Sequence, residues 1–169
     1  MSGGRVRRWW LIVPGVIAQV AADHVLTGDA AQVALMAGYA ILAVFLFANR
    51  LLVGIGVVAV GLAANATAVG VNGGMPVRPA AIIAAGLAGR QGPVAPPTGT
   101  RHHLEGPGDH LVVLDDHLPL RAVHRVVSYG DVLVTAGAVD VVAHLTLDAW
   151  YARRPNTGRT RESVAHLRG

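Results

Sequence analysis

The chain has 169 residues, of which 53% are hydrophobic and only 14% are charged, and its mean hydropathy is +0.48. These values are more apolar and less charged than those of typical soluble domains. The absence of cysteine excludes disulfides, thiolate metal sites and a cysteine nucleophile. All basic residues are arginines at the ends of apolar stretches, where positive charge sets membrane orientation, so the net charge of +4 does not indicate a nucleic acid partner.

The N-terminal region has the pattern of a membrane anchor. Residues 1–8 contain three arginines, and Trp9 and Trp10 begin an apolar run that reaches about Leu26. Arginines followed by a tryptophan pair are typical of a cytoplasmic end at the headgroup level. We therefore predict a first membrane helix. A cleaved signal peptide over residues 9–22 is the open alternative, because small residues suited to a signal peptidase follow the apolar run.

Two further spans follow without a long connection. Val33 to Ala48 predicts the second span, and Asn49-Arg50 predicts a short turn with a cytoplasmic arginine. Leu51–Val71 is 21 residues long and has no charge. At 1.5 Å per residue such a helix is roughly 31 Å long, the thickness of a hydrocarbon core. This third span is the clearest membrane signal in the chain.

One stripe of the third span consists of small or polar residues at helical spacing: Gly54, Gly61, Asn65, Ala68 and Asn72. Small residues let another helix approach closely, and a side-chain amide can form a hydrogen bond across the contact. We interpret Asn65 and Asn72 as helix-to-helix contacts, with a polar transport path as the alternative.

The third span ends in a stop signal. Gly73 and Gly74 can adopt the left-handed conformation that closes a helix, and Pro76 cannot continue one. The stretch containing Met75 and Pro76 is therefore predicted to form a tight exit turn at the membrane surface.

Residues 72–127 form the sizeable non-membrane stretch of the chain. A mildly apolar segment at 79–88 is too short to span a bilayer and predicts a short interfacial helix. The region also holds five histidines near Asp109, Asp115 and Asp116: His102, His103, His110, His117 and His124. Histidine with carboxylate can bind a transition metal. We expect solvated histidines here, because prolines interrupt the region and no metal motif is present.

The last predicted span runs over 128–150. Ser128 is the expected N-cap, and Asp131, three residues later, is placed to reach back to it. Ser128 and Asp131 near His124 also resemble a hydrolase triad, but no nucleophile elbow surrounds the serine. The capping pattern explains both residues without catalysis.

Three ionisable residues share one stripe of this last helix: Asp140, His144 and Asp148. An ionisable group at mid-membrane costs about 2.5–3.5 kcal/mol on insertion scales, so we expect these groups to face other helices or water. Three interpretations stay open. They are a polar lock with Asn65 or Gln19, a proton or ion relay, and an amphipathic helix outside the membrane.

The predicted fold is an all-α membrane protein with about four transmembrane helices and one external loop region of mixed short elements. Its parts are a cytoplasmic basic N-terminus, three transmembrane helices, the external loop region, the fourth transmembrane helix and a cytoplasmic Arg-rich tail: 1–8, 9–71, 72–127, 128–150 and 151–169. The positive-inside rule places both termini in the cytoplasm. Abundant alanine, valine and glycine, with arginine in place of lysine throughout, are typical of a GC-rich bacterial genome, so we expect the protein in a bacterial plasma membrane.

Several of these segments together resemble a known family. They are Asn49-Arg50, the glycine-rich span, Asn72 to Val77, Leu114 to Leu120 and Val127 to Leu133. Their order resembles an uncharacterised bacterial multi-pass membrane-protein family, domain-of-unknown-function family 5317. The resemblance covers roughly residues 33–147. It implies a multi-pass membrane protein and implies no activity.

Three functions are compatible with these patterns. The favoured one is a scaffold or accessory subunit that acts through helix–helix association, with the lipid bilayer and itself or another membrane protein as partners. The second is a small oligomeric transporter or ion- or proton-conducting protein that uses Asp140 and His144. The third is a membrane enzyme or a metal site in the histidine-rich loop. The sequence indicates no catalytic residue, no cofactor and no metal ligand set.

Overall fold

The computed structural model describes residues 6–88, 94 and 101–153, so the predicted Arg-rich tail beyond Arg153 lies outside the described residues. The described part contains five α-helices and four short strands. The helices are α1 (Ile12–His24), α2 (Gly28–Ala48), α3 (Ile55–Asn72), α4 (Pro79–Ala84) and α5 (Tyr129–Arg153). The strands are β1 (Met75–Val77), β2 (His102–Leu104), β3 (Leu118–Leu120) and β4 (Arg125–Val127).

The long helices form two antiparallel pairs. In the first pair, α1 packs along α2 through facing glycines. A Cβ added to Gly15 would lie 2.8 Å from the Leu42 side chain, and one added to Gly38 would lie 2.9 Å from the carbonyl oxygen of Gly15. The backbones therefore meet where Gly15 and Gly38 leave room.

In the second pair, α3 packs along α5, and four glycines line the contact. Gly54 faces Gly137, and Gly61 faces Gly130. A Cβ added to Gly61 would lie 2.5 Å from the Gly130 carbonyl oxygen, and one added to Gly137 would lie 2.7 Å from the Val58 backbone nitrogen. Because the seven-residue spacings match on both helices, the pair closes on backbone contact over one heptad. We call this contact the seam.

The two pairs are joined by the turn at 49–54 and by one apolar cluster. Its buried members come from α1, α2, α3 and β1: Ala22, Leu35, Tyr39, Ala68, Val69 and Met75. At the other end, Asn49 binds the backbone of Arg7, with Arg7 N–H donating to Asn49 Oδ1 at 2.7 Å and Asn49 Nδ2 donating to Arg7 O at 2.8 Å. We call this the turn end of the bundle.

The opposite end carries a cap made of residues 73–88 and 101–128. Strand β1 pairs in parallel with β2, and a bridge joins Val77 to Asp116. Strand β3 pairs antiparallel with β4. Val77, Ile82, Ala85 and Val126 form a second small core under α4. The cap is therefore a packed unit rather than an open loop.

Several predicted boundaries change. The exit turn at Met75 and Pro76 is wrong in part: Gly73 does close α3 with φ of 70°, but Met75–Val77 is a buried strand because β2 hydrogen-bonds to it. The interfacial helix predicted at 79–88 is shorter, since α4 ends at Ala84 and a turn follows.

Three helices are long and apolar enough to cross a membrane by length and composition: Gly28–Ala48, Ile55–Asn72 and Tyr129–Arg153. They correspond to the second, third and fourth predicted spans. The predicted first span contains a 3₁₀ turn, Trp9–Leu11, followed by the 13-residue helix α1. A straight span needs about 20 residues, so a fourth crossing stays a prediction.

Candidate functional site

A polar lock ties the start of α5 to α3 at one end of the seam. The side chain of Asn65 donates from Nδ2 to Asp131 Oδ1 at 2.7 Å and accepts at Oδ1 from Ser128 Oγ at 2.9 Å. Ser128 also caps α5: Asp131 N–H donates to Ser128 Oγ at 3.1 Å, and Ser128 N–H donates to Asp131 Oδ2 at 3.2 Å. The capping box and the interhelical amide therefore form one closed hydrogen-bond ring.

This ring is buried. Ser128 is fully inaccessible and Asn65 is 7% exposed. Close approach at Gly130 brings Asn65 to the helix start, since a Cβ on Gly130 would collide with Asn65 Oδ1. Removal of one member would leave the others unpaired, which costs more than one hydrogen bond contributes. The arrangement fits a structural lock and offers no nucleophile–base geometry to a substrate.

A second polar group lies where the cap meets α1. The imidazole of His102 sits between two carboxylates, with Nδ1 at 3.7 Å from Asp23 Oδ1 and Nε2 at 3.6 Å from Asp116 Oδ2. Arg101 Nε lies 3.5 Å from the same Asp23 oxygen. We call these four residues the acid–base cluster. It joins α1, β2 and the segment that bridges to β1.

The acid–base cluster is largely shielded from water, with side-chain exposures of 6–14% for Asp23, His102 and Asp116. Burial, reinforced by the charges of Asp131 and Asp115, raises the pKa of Asp116 to about 7 against the opposing effect of Arg101. Burial and the Arg101 charge lower the pKa of His102. Both shifts therefore favour the uncharged forms of these two side chains.

Some polar atoms here are buried without a hydrogen-bond partner among the described residues: Gln19 Nε2, Arg101 Nε, His102 Nδ1 and Asp116 Oδ1. Nearby, both carboxylate oxygens of the fully buried Asp115 also have no hydrogen-bond partner among the described residues. Burial, together with the charges of Glu105 and Asp109, raises the pKa of Asp115 to about 6. Such groups are uncommon in folded proteins. Burial without hydrogen-bond partners therefore disfavours the charged forms of these carboxyls.

The sequence patterns do not predict this cluster. Its members come from positions far apart in the chain, and only tertiary packing brings them together. Solvated histidines were expected, and His102 departs from that expectation because β2 is inserted beside α1. The one available signal was the presence of Asp23 and Gln19 near the end of an otherwise apolar helix.

The other loop histidines do not converge. His103 Nε2 lies 2.9 Å from Asp109 Oδ1, His117 Nδ1 lies 2.7 Å from the Asp115 carbonyl oxygen, and His124 Nδ1 lies 3.1 Å from the Ala85 carbonyl oxygen. Within the described residues, no group of three histidine, aspartate or glutamate side chains could hold a metal ion.

The polar residues predicted inside the membrane occupy different surroundings. Asn72 ends α3 and makes two hydrogen bonds to the backbone of His110, so it anchors the cap. Asp140 pairs within its own helix: His144 Nδ1 lies 3.1 Å from Asp140 Oδ1, and both side chains are almost half exposed. The proposed partners Asn65 and Gln19 are therefore wrong for Asp140 and His144, because Asn65 binds the start of α5.

The depth expected for Asp140 also changes. A Cβ on Gly54 would lie 3.0 Å from Asp140 Oδ2, so Asp140 is level with the start of α3 and not with its middle. Residues 142–153 extend past α3 by roughly 18 Å at 1.5 Å per residue.

Gly74 is buried under the Arg101 carbonyl oxygen, where a Cβ would lie at 2.8 Å.

Comparison with known proteins identifies the chain by family alone. No curated protein and no solved structure matches it. The model of the family described as "Family of unknown function (DUF5317)" matches residues 4–143, which include α1, α2, α3, the cap and the seam. The match starts earlier than the resemblance seen in the sequence motifs, so the N-terminal helix lies inside it. The chain belongs to the DUF5317 family of unknown function.

Proposed function

We propose that this protein is a multi-pass protein of the bacterial plasma membrane that acts by association, as a scaffold or accessory subunit of another membrane-embedded chain. The arginine distribution supports cytoplasmic termini, with the turn end inside and the cap outside. The contacts that hold the chain together are glycine-lined helix contacts, two apolar clusters and polar locks, and no described constellation has the geometry of a catalytic site.

The surface of α5 carries this proposal. Only 6% of its most apolar 18-residue stretch is buried, against 28% for α2 and for α3. The same helix carries Asp140, His144 and Asp148 on one stripe. Hydrocarbon covers exposed valines at no cost, but it does not solvate an aspartate–histidine pair. Water at the membrane edge satisfies only the charged part, whereas a protein partner satisfies both parts of this surface.

Site-specific photocrosslinking in membranes tests the association. A photoreactive residue at Val142, which is 60% exposed on α5, is expected to yield a discrete protein adduct. The same residue at Val20, which is 51% exposed on α1, is the matched control and is expected to yield lipid adducts. Lipid adducts alone at Val142 and at its exposed neighbours on α5 would overturn the proposal.

A proton-linked function is the second candidate, and the acid–base cluster is the observation that favours it. His102 connects carboxylates of α1 and the cap, and the raised pKa of Asp116 places its proton exchange near neutral pH. This candidate transfers the proton-handling role from Asp140 and His144 to Asp116 and His102.

Proteoliposomes loaded with a pH-sensitive dye distinguish the two candidates. A proton-linked function requires flux with the wild type and its loss in Asp116→Asn, with the fold retained. Equal traces for the wild type, Asp116→Asn and empty vesicles would reject proton conduction by this protein and leave the acid–base cluster a structural contact.

A further inference from the structure

An open apolar groove separates the turn-end half of α2 from α3. It has a volume of about 520 Å³. Small residues form much of its wall: Ala40, Ala43, Gly56, Ala59, Ala63 and Ala66. Arg50 lies at its mouth beside the turn at 49–54 and is the charged residue among those that line it. The groove therefore combines an apolar floor that a helix can approach closely with one cation at a known level.

The face of α5 that points away from the seam has the complementary shape. Val132, Val139 and Val142 are 46%, 64% and 60% exposed. They follow one another at seven and three residues, so they form one ridge of branched side chains. Branched side chains inserted between small ones are the usual packing of helices in membranes. Within the described residues, no other element of the chain covers this ridge.

The charge that flanks the ridge, Asp140, lies at the same level as the charge at the mouth of the groove, and its side chain is 43% exposed. Asp140 is beside Gly54, at the start of α3, and Arg50 is in the turn that leads to Gly54. Two copies inserted with the same membrane orientation therefore present Asp140 of one copy at the depth of Arg50 of the other. Among the described residues, Arg50 contacts its own Phe47, with the guanidinium 4.7 Å from the ring centre and a 3.4 Å hydrogen bond to the Phe47 carbonyl oxygen.

We infer that the α2–α3 groove receives α5 of a second copy of this chain. The inference deepens the proposed association function and rests on it, since it requires both copies to cross the membrane in the same direction. The ridge and the groove are different surfaces of one molecule, so the contact is heterologous and repeats from copy to copy in the membrane plane. A lipid acyl chain is the rival occupant. It fits the apolar floor of the groove, but unlike α5 of a second copy it carries no Asp140 to pair with Arg50.

Disulfide crosslinking tests the contact directly, since the chain has no native cysteine. Two differently tagged copies are co-expressed, one with Ala59→Cys in the groove and one with Val132→Cys on the ridge. Both positions lie within one turn of the level of the Gly61–Gly130 contact. Oxidation in membranes is expected to give the mixed dimer. Val60→Cys, which replaces the neighbouring 61% exposed valine, is the matched control for Ala59→Cys and is expected to give little.

Charge exchange tests the register of the two surfaces. Arg50→Asp or Asp140→Arg alone is expected to reduce the crosslinked dimer roughly two- to fivefold, the range for a partly exposed ion pair, and the double exchange is expected to restore it. Equal yields for the groove and control cysteines, in protein that resists alkaline extraction from membranes, would overturn the second copy as occupant and favour lipid. Release of the wild type by alkaline extraction would instead overturn the proposed membrane function itself.

Discussion

The two flanks of α3 are both built from small residues, yet one is closed and the other is open. On the seam side, Gly54 and Gly61 meet Gly137 and Gly130 with no space for a Cβ. On the groove side, Gly56, Ala59 and Ala63 leave a space of about 520 Å³. Small residues permit close approach, but they do not enforce it.

The difference lies in what accompanies the small residues. The seam has glycines on both helices in matching register, and the ring of Asn65, Ser128 and Asp131 fixes that register at one end. The groove has neither a matching helix nor a polar lock within the described residues. Its arginine is at the mouth, directed to its own Phe47.

Filling the seam should have the largest effect. We expect Gly61→Leu to abolish folding or to destabilise the protein by about 3 kcal/mol or more, because its Cβ would press on backbone atoms that cannot move aside. Ala59→Leu, in the groove, should be tolerated. Yield and melting temperature in detergent measure both, with Val60→Leu as the exposed control. Similar losses for Gly61→Leu and Ala59→Leu would show that the two flanks do not differ.

The stability of the cap is expected to depend on pH, because the pKa of Asp116 is raised in the folded protein. The carboxyl ionises near pH 4 in the unfolded chain and at about 7 in the folded one. The unfolded state therefore loses this proton first, and stability due to Asp116 falls as pH rises from about 4 to 7, by at most about 1.4 kcal/mol per pH unit.

Comparison with Asp116→Asn isolates the contribution of the Asp116 carboxyl to the free energy of unfolding. The difference in unfolding free energy, wild type minus variant, is expected to decrease steadily over that pH window and to level off above it. His102, whose lowered pKa acts in the opposite direction below pH 6.5, is present in both proteins. A difference that does not change with pH would show that Asp116 is ionised throughout.

Removing the lock should have a moderate effect on the seam. Asn65→Ala breaks the hydrogen bonds to Ser128 and Asp131, and we expect a loss of about 1–2 kcal/mol, near the upper end for interhelical hydrogen bonds in membranes. Asn72→Ala removes hydrogen bonds at an exposed position and should cost less. Denaturant titration in mixed micelles compares them. An Asn72 loss equal to or larger than the Asn65 loss would contradict the role of the lock.

The smallest effect is expected at Asp140. Its ion pair with His144 is an exposed contact within one helix, and such pairs contribute about 0.3–0.5 kcal/mol. Asp140→Leu should therefore leave the melting temperature of the isolated monomer almost unchanged, with Val139→Leu as control. A large loss in the monomer would place Asp140 in the fold itself and not at a surface for a partner.

The sequence by itself determined the three apolar helices, their approximate ends and the family. Apolar runs of this length and the left-handed stop at Gly73 depend on local composition and backbone preference, so they can be read without knowing the fold. The reciprocal cap of Ser128 and Asp131 is local for the same reason.

Only the tertiary structure decided which polar residues meet. Asn65 binds the start of α5 and not Asp140, and His102 joins Asp23 to Asp116 across more than ninety positions of the chain. Those pairings depend on the register of the seam and on the insertion of β2 beside α1, which are set by shape complementarity between distant segments. Spacing along a helix gives the face of a residue, but it does not give the depth of its partner.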